Sequence, residues 1–246
     1  MIAHSAISGA PVHVAHINSS GQGNAARMLE IMSEARERGI DISTECYPYT
    51  AGATRIESFL FDSWMDKPEE EYRKLQWALT GERLTRESFL RYRQQGGLVF
   101  IHANVEEVIR AAVAHPLTMI ASDGFDVMGR SAHPRSAGTF SRAIGRYARD
   151  QSLLPLMAIL RKMTLMPAQR LEARVPAMRK KGRLQVGADA DVVMFDPDRL
   201  IDRATFEAPD LLAEGMRHVL VAGQFVVREG QPVLDAVPGK PVRAAI

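Results

Sequence analysis

Cysteine is nearly absent: Cys46 is the only one in 246 residues, so no internal disulfide can form. That economy suits a reducing cytosol, and a cytoplasmic location is expected. No run of 18 apolar residues occurs, which leaves no candidate for a membrane-spanning helix. Charge of one sign is not in excess either. A net charge of +2 gives no reason to expect a nucleic-acid or membrane partner. The first ten residues lack the basic start and long apolar core of a signal peptide, and read instead as the last turns of a helix. Also missing are a phosphate-cradling glycine loop, a Gly-x-Ser-x-Gly elbow and a dinucleotide-binding glycine pattern. Their absence sets aside nucleotide-dependent and serine-hydrolase chemistry.

What is present is a globular composition, 46% hydrophobic and 24% charged, long enough for one large domain or one domain with a smaller companion. The run from Pro11 to Ile17 reads as a strand that ends at Asn18-Ser-Ser-Gly. A helix over about 24–38 follows, with Ala25, Met28, Leu29, Met32 and Ala35 at helical spacing and Gly39 as its stop. Ile40 to Tyr47 is a second strand, closed by Pro48. Strand, helix and strand with short links predict a parallel sheet. Residues from about 55 to 96 are charged and helical in pattern, and are expected to be an insertion over the strand ends. Leu98 to His102 is expected as a third strand of the body. After a helix near 105–114, Leu117 to Ala121 is the last. Helices are expected at 141–149 and 154–171. From Lys181 the texture turns strand-like, with a hairpin signal around Gly223-Gln224. The expected organisation is therefore an α/β body over 1–178 with a small β unit over 179–246.

In such a body the C-terminal ends of parallel strands carry the chemistry. His16 sits at one such end and Asp123 at another, so both are expected to face one mouth. A neutral imidazole and a carboxylate are common donors to Zn²⁺ or a related ion. His13, three residues before His16, is expected on the opposite face of the strand and in a supporting role. Tyr47 can donate a hydrogen bond to a developing oxyanion. Arg135, expected in a Gly/Ser/Pro-containing loop, can hold a carboxylate in bidentate fashion. His102 is a weaker candidate at a strand end.

Several blocks follow one another in a recognisable order: His13-Val-Ala-His16 with Asn18-Ser-Ser-Gly, Tyr47-Pro-Tyr-Thr-Ala-Gly-Ala-Thr54, Ala121-Ser-Asp-Gly124, His133-Pro-Arg-Ser-Ala-Gly-Thr-Phe140, Lys162 to Leu171, and Gly187-Ala-Asp-Ala-Asp191. The set resembles the C-terminal half of the N-acyl-D-amino-acid deacylases (D-aminoacylases) of the amidohydrolase superfamily. The resemblance implies the later part of a TIM-like (β/α)8 barrel, followed by strands of a small β-sandwich. It implies Zn²⁺, one or two ions in the complete enzyme, with His16 as a metal ligand and Asp123 as metal ligand or proton shuttle. Tyr47 and Arg135 would contact the substrate, the arginine holding its α-carboxylate. The implied substrate is a small N-acyl amino acid. A cyclic amidohydrolase of the dihydropyrimidinase or dihydroorotase kind is the alternative, and a catalytically inactive fragment or binding subunit the non-enzymatic one.

Two departures bear on this. The family's first-strand His-x-His pair and its bridging Cys or Lys find no counterpart, and Cys46 lies on the wrong strand for that role. Ala53 stands where many relatives have Ser. A closed barrel takes about 250 residues, whereas about 175 precede the β tail. The expectation is that the chain supplies only part of the site, with the missing N-terminal half or a homo-oligomer completing it.

Overall fold

The computed structural model describes residues 1–125 and 132–244. Its frame is a short parallel sheet of β1 (Val12–Val14), β2 (Ile42–Cys46) and β6 (Thr118–Ile120), in the order β1-β2-β6. Val12 pairs with Ile42, and Cys46 with Ile120. Alternation along β2 decides its two faces. Ile42 and Cys46 enter an apolar layer with Leu29 and Met32 of α3 (Ala25–Glu37), and Ile109 and Val113 of α6 (Glu106–Ala114). Ser43 and Glu45 take the other face, where both bond His13. His13 thus lies on the face opposite the helices, bonded to Ser43 and Glu45. The chain begins with α1 (Ile2–Ser8), stopped by Gly9 at φ 68°. α2 (Ile17–Ser20) is a single turn after β1.

The segment expected to be a helical insertion is a small α/β unit instead. β3 (Gly52–Arg55), β4 (Leu75–Trp77) and β5 (Leu98–Ile101) form a separate antiparallel sheet, ordered β3-β5-β4. Leu98–Ile101 is therefore not a strand of the parallel body. An apolar run states that a strand is buried, not which partner it takes. α4 (Glu69–Arg73) and α5 (Arg86–Gln95) cover this sheet, the latter started by a Thr85/Ser88 capping box. Its core is aromatic: Phe61, Tyr72 and Phe89 pack together, and Trp77 stacks on Tyr92 at 4.1 Å.

Two helix boundaries also differ from expectation. α7 spans Arg135–Arg142, so the His133-Pro-Arg block opens a helix rather than a loop. Proline is well suited to a helix start, where its missing N–H costs nothing. Residues Ala143–Asp150 continue it as a wider π turn. The long helix over 154–171 is broken at Thr164 into α8 (Leu156–Met163) and α9 (Leu165–Leu171). The tail forms one antiparallel sheet of β7 (Val192–Phe195), β8 (Met216–Val221), β9 (Gln224–Arg228) and β10 (Gln231–Pro232). Its β8–β9 hairpin turns at Ala222-Gly223, both at positive φ, as a tight primed turn demands.

The connection between β7 and β8 returns to the body. Asp202 accepts from Arg142 at 3.0 Å and from the Tyr49 hydroxyl at 3.1 Å, while Arg142 also donates to the Pro48 carbonyl at 2.8 Å. This buried knot fixes the loop after β2 against α7. Gly138 sits inside it: a Cβ there would lie 2.3 Å from Tyr49 Oη and 2.8 Å from Asp202 Cβ. Gly138→Ala is expected to cost about 1–3 kcal/mol in urea unfolding. Gly23→Ala, whose added methyl meets nothing within 4 Å, serves as the near-neutral control.

Candidate functional site

Beyond the C-terminal ends of β1, β2 and β6 lies a cavity of about 550 Å³, and His16, Ser19, Ser20, Tyr47, Ala53 and Asp123 are among its walls. Two of the residues singled out for metal chemistry, His16 and Asp123, thus share one space. Both stand just past a strand end in left-handed backbone, His16 at φ 34° and Asp123 at φ 48°. Such conformations need support in non-glycine residues. For His16 the support is Glu45, whose Oε1 accepts the His16 N–H at 2.7 Å. The same carboxylate pairs with His13. Burial pushes the Glu45 carboxyl up, but His13 and the His16 N–H outweigh it and hold it below its usual range.

The tautomer of His16 follows from its neighbours. Its Nδ1 lies 2.9 Å from Ser19 Oγ and 3.0 Å from Ser20 Oγ. Each hydroxyl has one proton, and each has a carbonyl to receive it: His16 O for Ser19 at 3.1 Å, Ala15 O for Ser20 at 3.0 Å. Both oxygens are then left to accept. With the hydroxyl protons on those carbonyls, the ring proton sits on Nδ1 and Nε2 keeps its lone pair, the arrangement a metal-binding histidine requires.

Arg135 is the first residue of α7 and only 2% exposed. Its Nη2 pairs with Asp123 Oδ2 at 2.7 Å, and its guanidinium lies 4.4 Å over the Tyr47 ring. Burial lowers its pKa, opposed by Asp123 and Tyr47. Among the described residues Nε and Nη1 find no acceptor. Arg135 therefore stands behind Tyr47 and beside Asp123, rather than in an open loop. Tyr47 is itself 1% exposed, and its hydroxyl accepts from Asn104 Nδ2 at 3.3 Å. His102 is not brought to this group. It bonds Gln76 at 2.7 Å within the inserted unit, and its ring packs on Phe206.

Glu45, Ser19 and Ser20 were not singled out by sequence. A carboxylate inside an otherwise uncharged strand, and paired serines directly after a strand-end histidine, are the signals that mark them. As to a metal, His16 and Asp123 have suitable donor chemistry. Among the described residues no group of three or more His, Cys, Asp or Glu converges. A tetrahedral Zn²⁺ placed here would need further donors from beyond these residues.

A model of the amidohydrolase family, Amidohydro_3, matches residues 5–227. The chain belongs to the amidohydrolase family. It is 35% identical over 223 residues to an N-acyl-D-glutamate deacylase of Alcaligenes xylosoxydans xylosoxydans, covering 85% of this chain and 43% of that protein. A D-aminoacylase of the same organism is 34% identical over 229 residues, which is 89% of this chain and 46% of the relative. The crystal structure of N-acyl-D-glutamate deacylase from Bordetella bronchiseptica, complexed with zinc and a phosphonate inhibitor, superposes with a TM-score of 0.81 at 29% identity. It covers 99% of this chain and 52% of that one. This amidohydrolase chain thus spans about half the length of the relatives it matches.

Two measurements test the site as described. In ¹⁵N NMR of the metal-free protein, neutral His16 is expected as the Nδ1–H tautomer, and replacing both Ser19 and Ser20 by Ala should mix in the Nε2–H form. The second concerns acid. Burial above all, then the charge of Arg135, lowers the pKa of His133 to about 3; burial, then Arg83, lowers that of His102 to about 4. Between these values and the unfolded value near 6.5, the unfolded state binds more protons. Stability is therefore expected to rise with pH across about 4 to 6.5, and His102→Gln should flatten part of that slope in thermal melts.

Proposed function

We propose that this chain supplies part of a metal-dependent active site that hydrolyses N-acyl-D-amino acids to a carboxylate and a free D-amino acid. The observation that carries the reading is the meeting of His16 and Asp123 in one cavity, with the His16 Nε2 lone pair left free by its serine partners. On this reading the parallel sheet is an arc of a TIM-like barrel over 1–178, and the tail sheet is part of a β-sandwich over 179–246. The likeness to relatives named as deacylases, and to a zinc-bound structure, supports it.

His16 and Asp123 would hold Zn²⁺ together with donors from outside the described residues. When bound, the ion supplies Lewis-acid polarisation of the amide carbonyl. Asp123 accepts a proton from the attacking water and returns it to the leaving nitrogen, so the amine departs neutral. Its Oδ2 is held by Arg135 Nη2 at 2.7 Å, which leaves the other oxygen to the reaction. Arg135, with Nε and Nη1 unpartnered among the described residues, is the cation left to receive the α-carboxylate; because it is buried against the Tyr47 ring, that ring must move aside for the two to meet.

The assay uses the protein purified from its native source, with Zn²⁺, on N-acetyl-D- and N-acetyl-L-amino acids. Hydrolysis of the D-series is expected, with His16→Ala and Asp123→Ala each losing about 100-fold or more in kcat/KM. Turnover of cyclic amides in place of N-acyl amino acids would assign the cyclic amidohydrolase reaction instead. No zinc uptake and no hydrolysis of either class would leave a binding or inactive chain.

A further inference from the structure

His133 takes no part in the chemistry above, yet it is 0% exposed and both ring nitrogens are engaged. Nδ1 lies 3.0 Å from the Arg135 backbone nitrogen, and Nε2 lies 3.0 Å from the Ala51 carbonyl. A backbone N–H only donates and a carbonyl only accepts. One ring form satisfies both, the neutral imidazole with its proton on Nε2. Tyr49, Phe100 and Phe206 meet the ring edge to face, with centroids 5.0–5.6 Å away. It cannot flip without losing both bonds, nor turn out of its plane without losing these three contacts as well.

The two backbone groups it joins belong to the two walls that frame the arginine. Ala51 is four residues after Tyr47, which carries the face on which the guanidinium rests, and two before Ala53, which lines the cavity. The Arg135 N–H is the first of α7, one of the orphan donors of a helix start. The Pro134 side chain offers no cap there, and the His133 ring accepts the bond in its place.

We propose that His133 is a positioning residue. By bridging Ala51 to the first peptide of α7, it fixes the Arg135 guanidinium against Tyr47 and Asp123 and so sets where a substrate carboxylate is received. This rests on the deacylase reading for the identity of the carboxylate. The two bonds of the bridge stand whatever that reading's outcome.

The test compares His133→Asn and His133→Gln with the wild-type protein. Asn keeps an acceptor for Arg135 N–H, and Gln keeps a donor for Ala51, but neither spans both. Each variant is assayed on an N-acetyl-D-amino acid and on the N-acetyl amine that lacks the carboxylate. The expected result is a KM raised about tenfold or more for the carboxylate substrate, with kcat changed less than about threefold. Zinc content and the turnover of the carboxylate-free amide should be unchanged. Equal losses on both substrates, or no loss on either, would overturn the proposal by making His133 merely structural or dispensable. A wild-type protein that hydrolyses neither substrate would sink the deacylase reading instead. Should both variants fail to fold, ¹⁵N NMR of the wild type still decides: an Nδ1–H ring at His133 rules the bridge out.

Discussion

A guanidinium that is almost wholly out of water cannot stand without a counter-charge, and the site is arranged around that constraint. Desolvating an ion costs several kcal/mol even after relaxation, so burying Arg135 requires Asp123 beside it and the electron-rich Tyr47 face beneath it. Asp123 in turn accepts a left-handed backbone to reach the pair, a conformation that aspartate tolerates better than most residues. One ion pair thereby ties the end of β6 to the start of α7. The Asp123 carboxylate at the cavity wall is positioned by the buried Arg135 charge beside it.

The second support is the carboxylate of Glu45. It faces the polar side of the parallel sheet, and holds the His16 N–H with one oxygen and His13 with the other. The strand-end histidine is locked twice, its backbone by Glu45 and its ring by Ser19 and Ser20. Each of these bonds is worth about 1 kcal/mol in stability, rising to about 1.5–3 kcal/mol for those to the Glu45 carboxylate. Their effect is to narrow the alternatives, holding the left-handed backbone in place and fixing the ring edge that carries Nδ1 against the serines.

These dependencies explain what the sequence could and could not reveal. His16 and Asp123 were legible because each follows a short apolar run and precedes turn-forming residues, so strand ends, and with them the cavity, could be placed from pattern alone. The deacylase-like blocks added the roles proposed for them. Arg135 was legible as a carboxylate-binding candidate but not as the partner of Asp123, since that pairing depends on the angle at which α7 meets the sheet. Leu98–Ile101 was legible as a strand and misplaced in the body, because its partners Gly52–Arg55 and Leu75–Trp77 are short and sit among turn-like and charged residues. The start of α7 was hidden by Pro134 and Gly138, which read as loop formers. Proline fits the first helical turn, and the glycine is demanded by the close approach of Tyr49 and Asp202.

The same close approach shows why the site cannot be assigned to the parallel sheet alone. Asp202 and Phe206 come from the connection between β7 and β8. The first clamps Tyr49 and Arg142, and the second closes the cage around His133 together with Phe100 of the inserted sheet. Phe100 of the inserted sheet, Phe206 of the β7–β8 connection and Tyr49 of the loop after β2 therefore converge on one buried imidazole, whose two nitrogens reach the loop after β2 and the first turn of α7. That ring shares the task with the Arg142–Asp202–Tyr49 knot, so a change in the packing of either outer unit reaches the arginine through the bonds that join the loop after β2 to α7.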